Sequence, residues 1–71
     1  MDARLAAFLL QRSQSSDLIQ ITHQEIAAEL GSSREVISRI LEDFSAEGII
    51  SVGRGTIRVQ EREALQEHIV V

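Results

Sequence analysis

Nine residues near the middle of the chain, GSSREVISR from Gly31 to Arg39, concentrate side chains that are suited to hydrogen-bond chemistry. Arginine presents a planar fork of donors that bonds bidentately to paired acceptors, such as a phosphate or the O6 and N7 edge of guanine. Glutamate can accept from the amino group of cytosine, and serine can serve a base or a phosphate. The stretch therefore indicates either a recognition surface or an ordinary solvated helix face.

Other kinds of site find little support in the residues. The chain has no cysteine, and its two histidines, His23 and His68, lie far apart, so we expect no disulfide, no metal site and no cofactor. We recognise no Ser-His-Asp set, no phosphate-cradling glycine loop and no paired carboxylates with a plausible pocket. We therefore predict no catalytic residues and no enzyme.

The composition is that of a small globular domain. Hydrophobic residues make up 44% of the 71 residues and charged residues 25%, which is too apolar for a disordered tail. Repeats, linkers and low-complexity segments are absent, so we expect one domain over residues 1–71. No apolar run approaches the ~18 residues that a membrane span needs, and no signal-peptide pattern is recognisable. We expect a cytoplasmic protein without membrane contact.

The net charge of −4 argues at first against a nucleic-acid partner, because phosphate binding is driven by basic surfaces. The charge is unevenly distributed, however. Between residues 32 and 60, four arginines balance four carboxylates, whereas the remaining residues hold three arginines and seven carboxylates and carry the whole −4. The excess negative charge therefore lies outside the segment with the candidate recognition residues.

Hydrophobic patterning predicts the flanking elements. Apolar residues at helical spacing indicate a first helix over about residues 2–12, and the short run LIQI at 18–21 indicates a single strand. IISV and TIRV flank a tight GRG and predict a two-stranded hairpin over about 49–59. Residues 61–71 are typical of a last helix or a frayed tail.

Two capped helices are predicted between about residues 22 and 47. Thr22, with Glu25 three residues later, has the capping-box spacing, and Gly31 ends the helix that follows. Ser32 and Glu35 repeat that spacing, so we expect the next helix to begin at Ser32. Two capped helices joined by a glycine turn and followed by a hairpin predict a winged helix-turn-helix, mainly α with a small β-hairpin (α+β), with a three-helix core and a wing.

The third helix divides into two faces. At ~100° per residue, its apolar residues fall on one side, and its arginines, Glu35 and Ser38 on the other. The residues that we expect in the core are Val36, Ile37, Ile40, Leu41 and Phe44. The other face would then project from the first two turns of a helix over about 32–45, as the base-contacting face of a recognition helix does in the major groove.

The run ITHQEIAAELGSSREVISRILEDFSAEGIISVGRGTIRV closely resembles the C-terminal winged helix-turn-helix DNA-binding domain of the Crp/Fnr family of bacterial transcription regulators. The likeness extends from about Arg4 to Leu65 and implies sequence-specific binding of double-stranded DNA, with the recognition helix in the major groove. The base-reading positions that it implies are Arg34, Glu35, Ser38 and Arg39. The positions near the DNA backbone that it implies are Thr22, His23, Gln24, Ser33 and Arg54.

The resemblance also implies partners. Family members bind two-fold symmetric operators as dimers, so we expect DNA half-sites, a homodimer in the full-length context and RNA polymerase as a further partner. The family's N-terminal effector domain and dimerisation helix have no counterpart in these 71 residues. The sequence leaves open whether the chain is a fragment of a longer regulator or a short protein.

Two alternatives stay open on the residues alone. Arg34, Glu35 and Arg39 could form a solvated face with helix-stabilising charge pairs, and Glu35 could serve the cap with Ser32 instead of a base. The whole chain could instead be a winged-helix protein-interaction or dimerisation module without specific DNA binding. The acidic ends and the apolar terminus HIVV favour that reading.

Overall fold

The computed structural model describes residues 1–69, so Val70 and Val71 of the HIVV terminus lie outside the described residues. The elements in chain order are α1 (Asp2–Arg12), β1 (Leu18–Gln20), α2 (His23–Leu30), α3 (Arg34–Ala46), β2 (Ile50–Gly53), β3 (Thr56–Val59) and α4 (Arg62–Ile69). The predicted winged helix-turn-helix is confirmed, with α2 and α3 as its two helices and β2 and β3 as its wing. The predicted tail is helical up to Ile69.

The wing belongs to a three-stranded antiparallel sheet in the order β1-β3-β2. Leu18 of β1 lies opposite Arg58 of β3, and Ile50 of β2 lies opposite Val59. The predicted hairpin therefore gains a third strand from the segment that precedes α2. This pairing ties the wing to the start of the helix-turn-helix.

The hydrophobic core draws on every helix and strand. Its buried members are Leu5, Ala6, Leu9, Ile19, Ile21, Ile26, Ala27, Ile37, Ile40, Leu41, Phe44, Ile49, Ile50, Ile57, Val59 and Leu65. Leu65 comes from α4, so the predicted three-helix core is completed by a fourth helix. Phe44 is buried as expected. Phe8 is only partly buried, and the guanidinium of Arg12 lies over its ring, 4.8 Å from the ring centroid.

Local sequence explains the start and the end of α2. The Thr22 hydroxyl accepts from the backbone N–H of Glu25, and the Glu25 carboxylate accepts from the backbone N–H of Thr22, which completes the predicted capping box. Gly31 ends the helix at φ +66° and ψ +38°, a left-handed conformation that glycine adopts without steric cost.

The prediction that α3 begins with Ser32 as its cap is wrong: the cap lies one residue later, and the helix itself begins at Arg34. The N-cap is Ser33, whose hydroxyl oxygen accepts from the backbone N–H of Val36 at 3.3 Å. Ser32 belongs instead to the turn that follows α2, where its N–H donates to the carbonyl of Ala27. The third residue after the cap is therefore apolar Val36, which cannot complete a capping box.

Val36 also departs from the prediction that it anchors the helix in the core, since 42% of its surface is exposed. Its neighbours Ile37, Ile40, Leu41 and Phe44 are all buried. Val36 lies at about 200° from Arg34 on the helical wheel, at the margin of the apolar arc. The core covers the middle of that arc and leaves its margin in solvent.

Candidate nucleic-acid interface

The first two turns of α3 present a polar face to solvent. Arg34, Glu35 and Arg39 are exposed, and Ser38 is half-buried. Burial of Ile37 and its apolar partners fixes the opposite side of the helix in the core. The predicted division of α3 into two faces is thus confirmed, with Val36 as the exception.

The arginines of this face make no ion pair within residues 1–69. The arginine ion pairs of the described part of the chain join Arg12 to Glu29 at 3.9 Å and Arg62 to Asp17 at 3.8 Å, both outside the segment 32–60. Glu35 and Arg39 have the spacing of a helical charge pair but form none. Within residues 1–69, the guanidinium groups of Arg34 and Arg39 therefore keep all their donors available to a ligand.

Glu35 does not serve the cap of α3. Because Ser33 caps this helix, the capping-box alternative that paired Glu35 with Ser32 is wrong. The Glu35 side chain is exposed, and it makes no hydrogen bond or ion pair with any of the residues that the structure describes. Its carboxylate is a free acceptor on the same face as the two arginines.

A side-chain hydrogen bond joins α2 to α3 at the edge of this face. His23 Nδ1 lies 2.8 Å from Ser38 Oγ, and the two residues border a groove of about 400 Å³ with Glu42 of α3 and Val52 of the wing. The sequence predicts DNA contacts for both residues but not this contact between them. They are 15 residues apart, and their meeting depends on how α2 and α3 cross, for which no local pattern exists.

The wing tip lies close to the start of α2. The backbone N–H of Ile21 donates to the carbonyl of Gly55 at 3.0 Å. Thr22 follows Ile21 directly and Arg54 precedes Gly55. This bond therefore brings together two positions that are predicted to contact the DNA backbone. Arg54 is exposed and has no ion pair within residues 1–69.

The candidate backbone-contacting residues differ in the donors that they can offer. Both donors of Thr22, its N–H and its hydroxyl, bind the Glu25 carboxylate at 3.0 Å. The Ser33 oxygen accepts from Val36, so its hydroxyl hydrogen remains available. Gln24 is exposed, and it makes no side-chain hydrogen bond to another residue in the range 1–69.

Two further observations limit the kind of site. None of the helices within residues 1–69 combines the length and the apolar character that a membrane crossing requires. In the same residues, no group of three or more histidine, aspartate or glutamate side chains is arranged to hold a metal ion.

Two helices joined by a tight glycine turn, with a hairpin wing beside the second helix and a polar face turned outward, define a winged helix-turn-helix domain. The family model of the Crp-like helix-turn-helix domain matches residues 3–68, and the chain belongs to that family. It is a DNA-binding domain of the kind found in Crp/Fnr transcription regulators.

Two similar proteins come from Thermus thermophilus. The cyclic AMP receptor protein is 42% identical over 62 residues, which cover 87% of this chain and 29% of that protein. The transcriptional regulator SdrP is 32% identical over 72 aligned positions, which cover 90% of this chain and 36% of that protein. The chain thus spans about a third of the length of these relatives.

Solved structures agree with the family. A protein from Eubacterium rectale assigned to the Crp/Fnr family of transcriptional regulators is similar to this chain with a TM-score of 0.93 and 38% identity. The match covers 97% of this chain and 33% of that protein. The four helices and the three-stranded sheet are therefore arranged as in the winged helix-turn-helix part of a Crp/Fnr regulator.

Proposed function

We propose that this domain binds one half-site of a double-stranded operator in a sequence-specific manner, with α3 in the major groove. The observation that carries the proposal is that the charged side chains on the outer face of α3 are exposed and unpaired within residues 1–69. Arg34, Glu35 and Arg39 are exposed and unpaired within residues 1–69, while the opposite side of the helix is buried. Intramolecular charge pairs would have used these groups, and none forms in the described part of the chain.

Base reading is assigned to four side chains. Arg34 and Arg39 have the donor geometry for the O6 and N7 acceptors of guanine, and Glu35 can accept from the amino group of cytosine. Ser38 is the further reader. The folded position of these residues on the first two turns of α3 supports the assignment, because those turns carry the base contacts of a recognition helix.

The DNA backbone is assigned to residues around the reading face. His23, Gln24, Ser33 and Arg54 retain a donor or a charge that a phosphate can bind, and the wing places Arg54 near the start of α2. Thr22 stays in this set as a prediction, although its phosphate contact would have to compete with Glu25. Such contacts release counterions and make affinity depend on salt.

For the protein to which this domain belongs, we propose a cytoplasmic transcription regulator without enzymatic activity. Its DNA-binding unit would be a homodimer on a two-fold symmetric operator, with RNA polymerase as a further partner. A single domain of this kind would bind one half-site weakly, because it lacks the second set of contacts that a dimer supplies.

The experiment is a titration of the purified domain with a duplex selected from a random pool and with a scrambled duplex, each at several salt concentrations. We expect tighter binding to the selected duplex and an affinity for both that falls as salt rises. Sedimentation of the same samples tests the rival function, a protein-interaction module. A tight oligomer that does not respond to DNA at low salt would overturn the proposal.

A further inference from the structure

The hydrogen bond between His23 and Ser38 fixes the direction of a side chain that is assigned to base reading. A serine inside a helix often turns its hydroxyl back to the carbonyl four residues earlier. Ser38 makes no such bond, and within residues 1–69 its oxygen is paired with His23 Nδ1 at 2.8 Å. The rotamer of Ser38 and the position of its lone pairs are therefore set by a residue on the other helix.

Within residues 1–69, no other side chain hydrogen-bonds His23 or Ser38. Glu42 is the charged side chain that lines the same groove, and it hydrogen-bonds neither His23 nor Ser38. The second ring nitrogen of the histidine, Nε2, has no hydrogen-bond partner among residues 1–69. His23 thus holds Ser38 through one nitrogen and keeps the other available for a contact outside the domain.

The two nitrogens of a neutral imidazole cannot both donate, because one carries the hydrogen and the other accepts. A contact between Nε2 and a DNA phosphate requires the hydrogen on Nε2. In this neutral tautomer Nδ1 is an acceptor, and the Ser38 hydroxyl must donate to it. The Ser38 oxygen, with its hydrogen used in this way, can only accept from the base edge.

We propose that His23 is a specificity-determining residue that acts through Ser38: it orients the serine oxygen as an acceptor for the exocyclic amino group of adenine or cytosine in the major groove. These amino groups are the donors that bases present there. The inference rests on the proposed function, since it needs Ser38 at a base edge and His23 at a phosphate. It adds a base preference and names the residue that sets it.

A matched pair of substitutions separates the two contacts of the histidine. Asparagine places its amide near the position of Nδ1, and glutamine places its amide near the position of Nε2. His23→Asn therefore retains a partner for Ser38 and loses the phosphate contact, whereas His23→Gln does the reverse. Ser38→Ala identifies the base position that the serine reads. The readout is the affinity of each variant for half-site duplexes that differ at single positions, at several salt concentrations.

We expect the unsubstituted domain to favour adenine or cytosine about 3- to 10-fold at the position where Ser38→Ala loses its preference. His23→Gln should lose the same preference with an unchanged salt dependence. His23→Asn should keep the preference, while the slope of log affinity against log salt falls by about 1. The domain that carries both His23→Gln and Ser38→Ala should lose no more base preference at this position than Ser38→Ala alone, because the two substitutions remove the same contact.

Three results would overturn the inference. Full preference in His23→Gln would mean that Ser38 needs no positioning residue, and a preference for guanine or thymine at the Ser38 position would mean that its hydroxyl donates. Nitrogen-15 NMR of the unsubstituted domain on its half-site reports the tautomer directly, and a hydrogen on Nδ1 would contradict the assignment. In contrast, a domain that discriminates between no duplexes would overturn the proposed function itself, whatever the histidine variants do.

Discussion

The guanidinium of Arg62, at the start of α4, donates to both the carbonyl oxygen and the hydroxyl of Ser13, at 2.9 and 2.8 Å. Ser13 follows α1 and is only 2% exposed, and its hydroxyl in turn donates to the carbonyl of Leu10. The carboxylate of Asp17 lies 3.8 Å from the same guanidinium. One arginine thus bonds both oxygens of the buried Ser13 and joins the C-terminal end of α1 to α4.

Arg62→Ala should lower the free energy of unfolding by about 1–3 kcal/mol, because it leaves buried acceptors of Ser13 without a partner. Urea unfolding followed by circular dichroism measures the change. Arg4→Ala is the matched control, since Arg4 is exposed on α1 and makes no ion pair within residues 1–69; its effect should stay within about 0.5 kcal/mol. Equal losses in the two variants would contradict a specific role for Arg62.

Ser33→Ala should cost about 1 kcal/mol of stability, because it removes the acceptor for the Val36 N–H at the start of α3. Ser32→Ala, one residue earlier, should have an effect within about 0.5 kcal/mol, since only the backbone of Ser32 closes the turn after α2. Thermal and urea unfolding of the two variants side by side make the comparison. A larger loss of stability in Ser32→Ala than in Ser33→Ala would mean that Ser32 is the cap.

Stability should depend on pH through Glu25. The backbone N–H and the hydroxyl of Thr22 both donate to its carboxylate and hold its pKa below the ordinary value of 4.5. A lowered pKa in the folded state means that the stabilisation is fully present above the unfolded-state pKa and is lost as pH falls through the folded-state pKa.

The variant that isolates this effect is Glu25→Gln, which resembles the protonated acid in shape and charge. The difference in unfolding free energy between the unsubstituted domain and the variant should be largest at about pH 6 and shrink as the pH falls below about 4.5. Urea unfolding at a series of pH values measures it. A difference that stays constant over that range would mean that the charge of Glu25 does not contribute to the cap.

Arg39→Ala and Arg54→Ala should affect DNA binding in different ways. Arg39 is proposed to read a base, so its loss should cost about 1–3 kcal/mol on the selected duplex and relax the preference at one position. Arg54 is proposed to bind a phosphate, so its loss should weaken binding to all duplexes alike and reduce the salt slope by about 1. Equal losses on selected and random duplexes for both variants would show this division to be wrong.

Features that depend on local spacing were predictable from the sequence. Three such features are the capping box at Thr22, the left-handed turn at Gly31 and the bounds of α1. Each follows from residues that are close together in the sequence. The outward direction of Arg34 and Arg39 follows from helical periodicity together with burial of the opposite face.

Features that depend on tertiary contacts were not predictable in this way. Ser32 and Ser33 are equally good capping residues by type, and the turn that closes α2 selects Ser33. The pairing of β1 with β3 and the contact of His23 with Ser38 join residues that no short-range pattern relates. These contacts depend on the tertiary arrangement of the helices and strands.

The Arg62–Ser13 contact spans 49 residues of chain, and β1 pairs with a strand almost as distant. Contacts of this range form against the entropy of closing a long loop, whereas α2, its turn and α3 depend on neighbours in the chain. The helix-turn-helix is therefore expected to order first during folding, and the two ends close around it afterwards. The part of the molecule that is proposed to meet DNA would then also be the part around which the rest of the domain assembles.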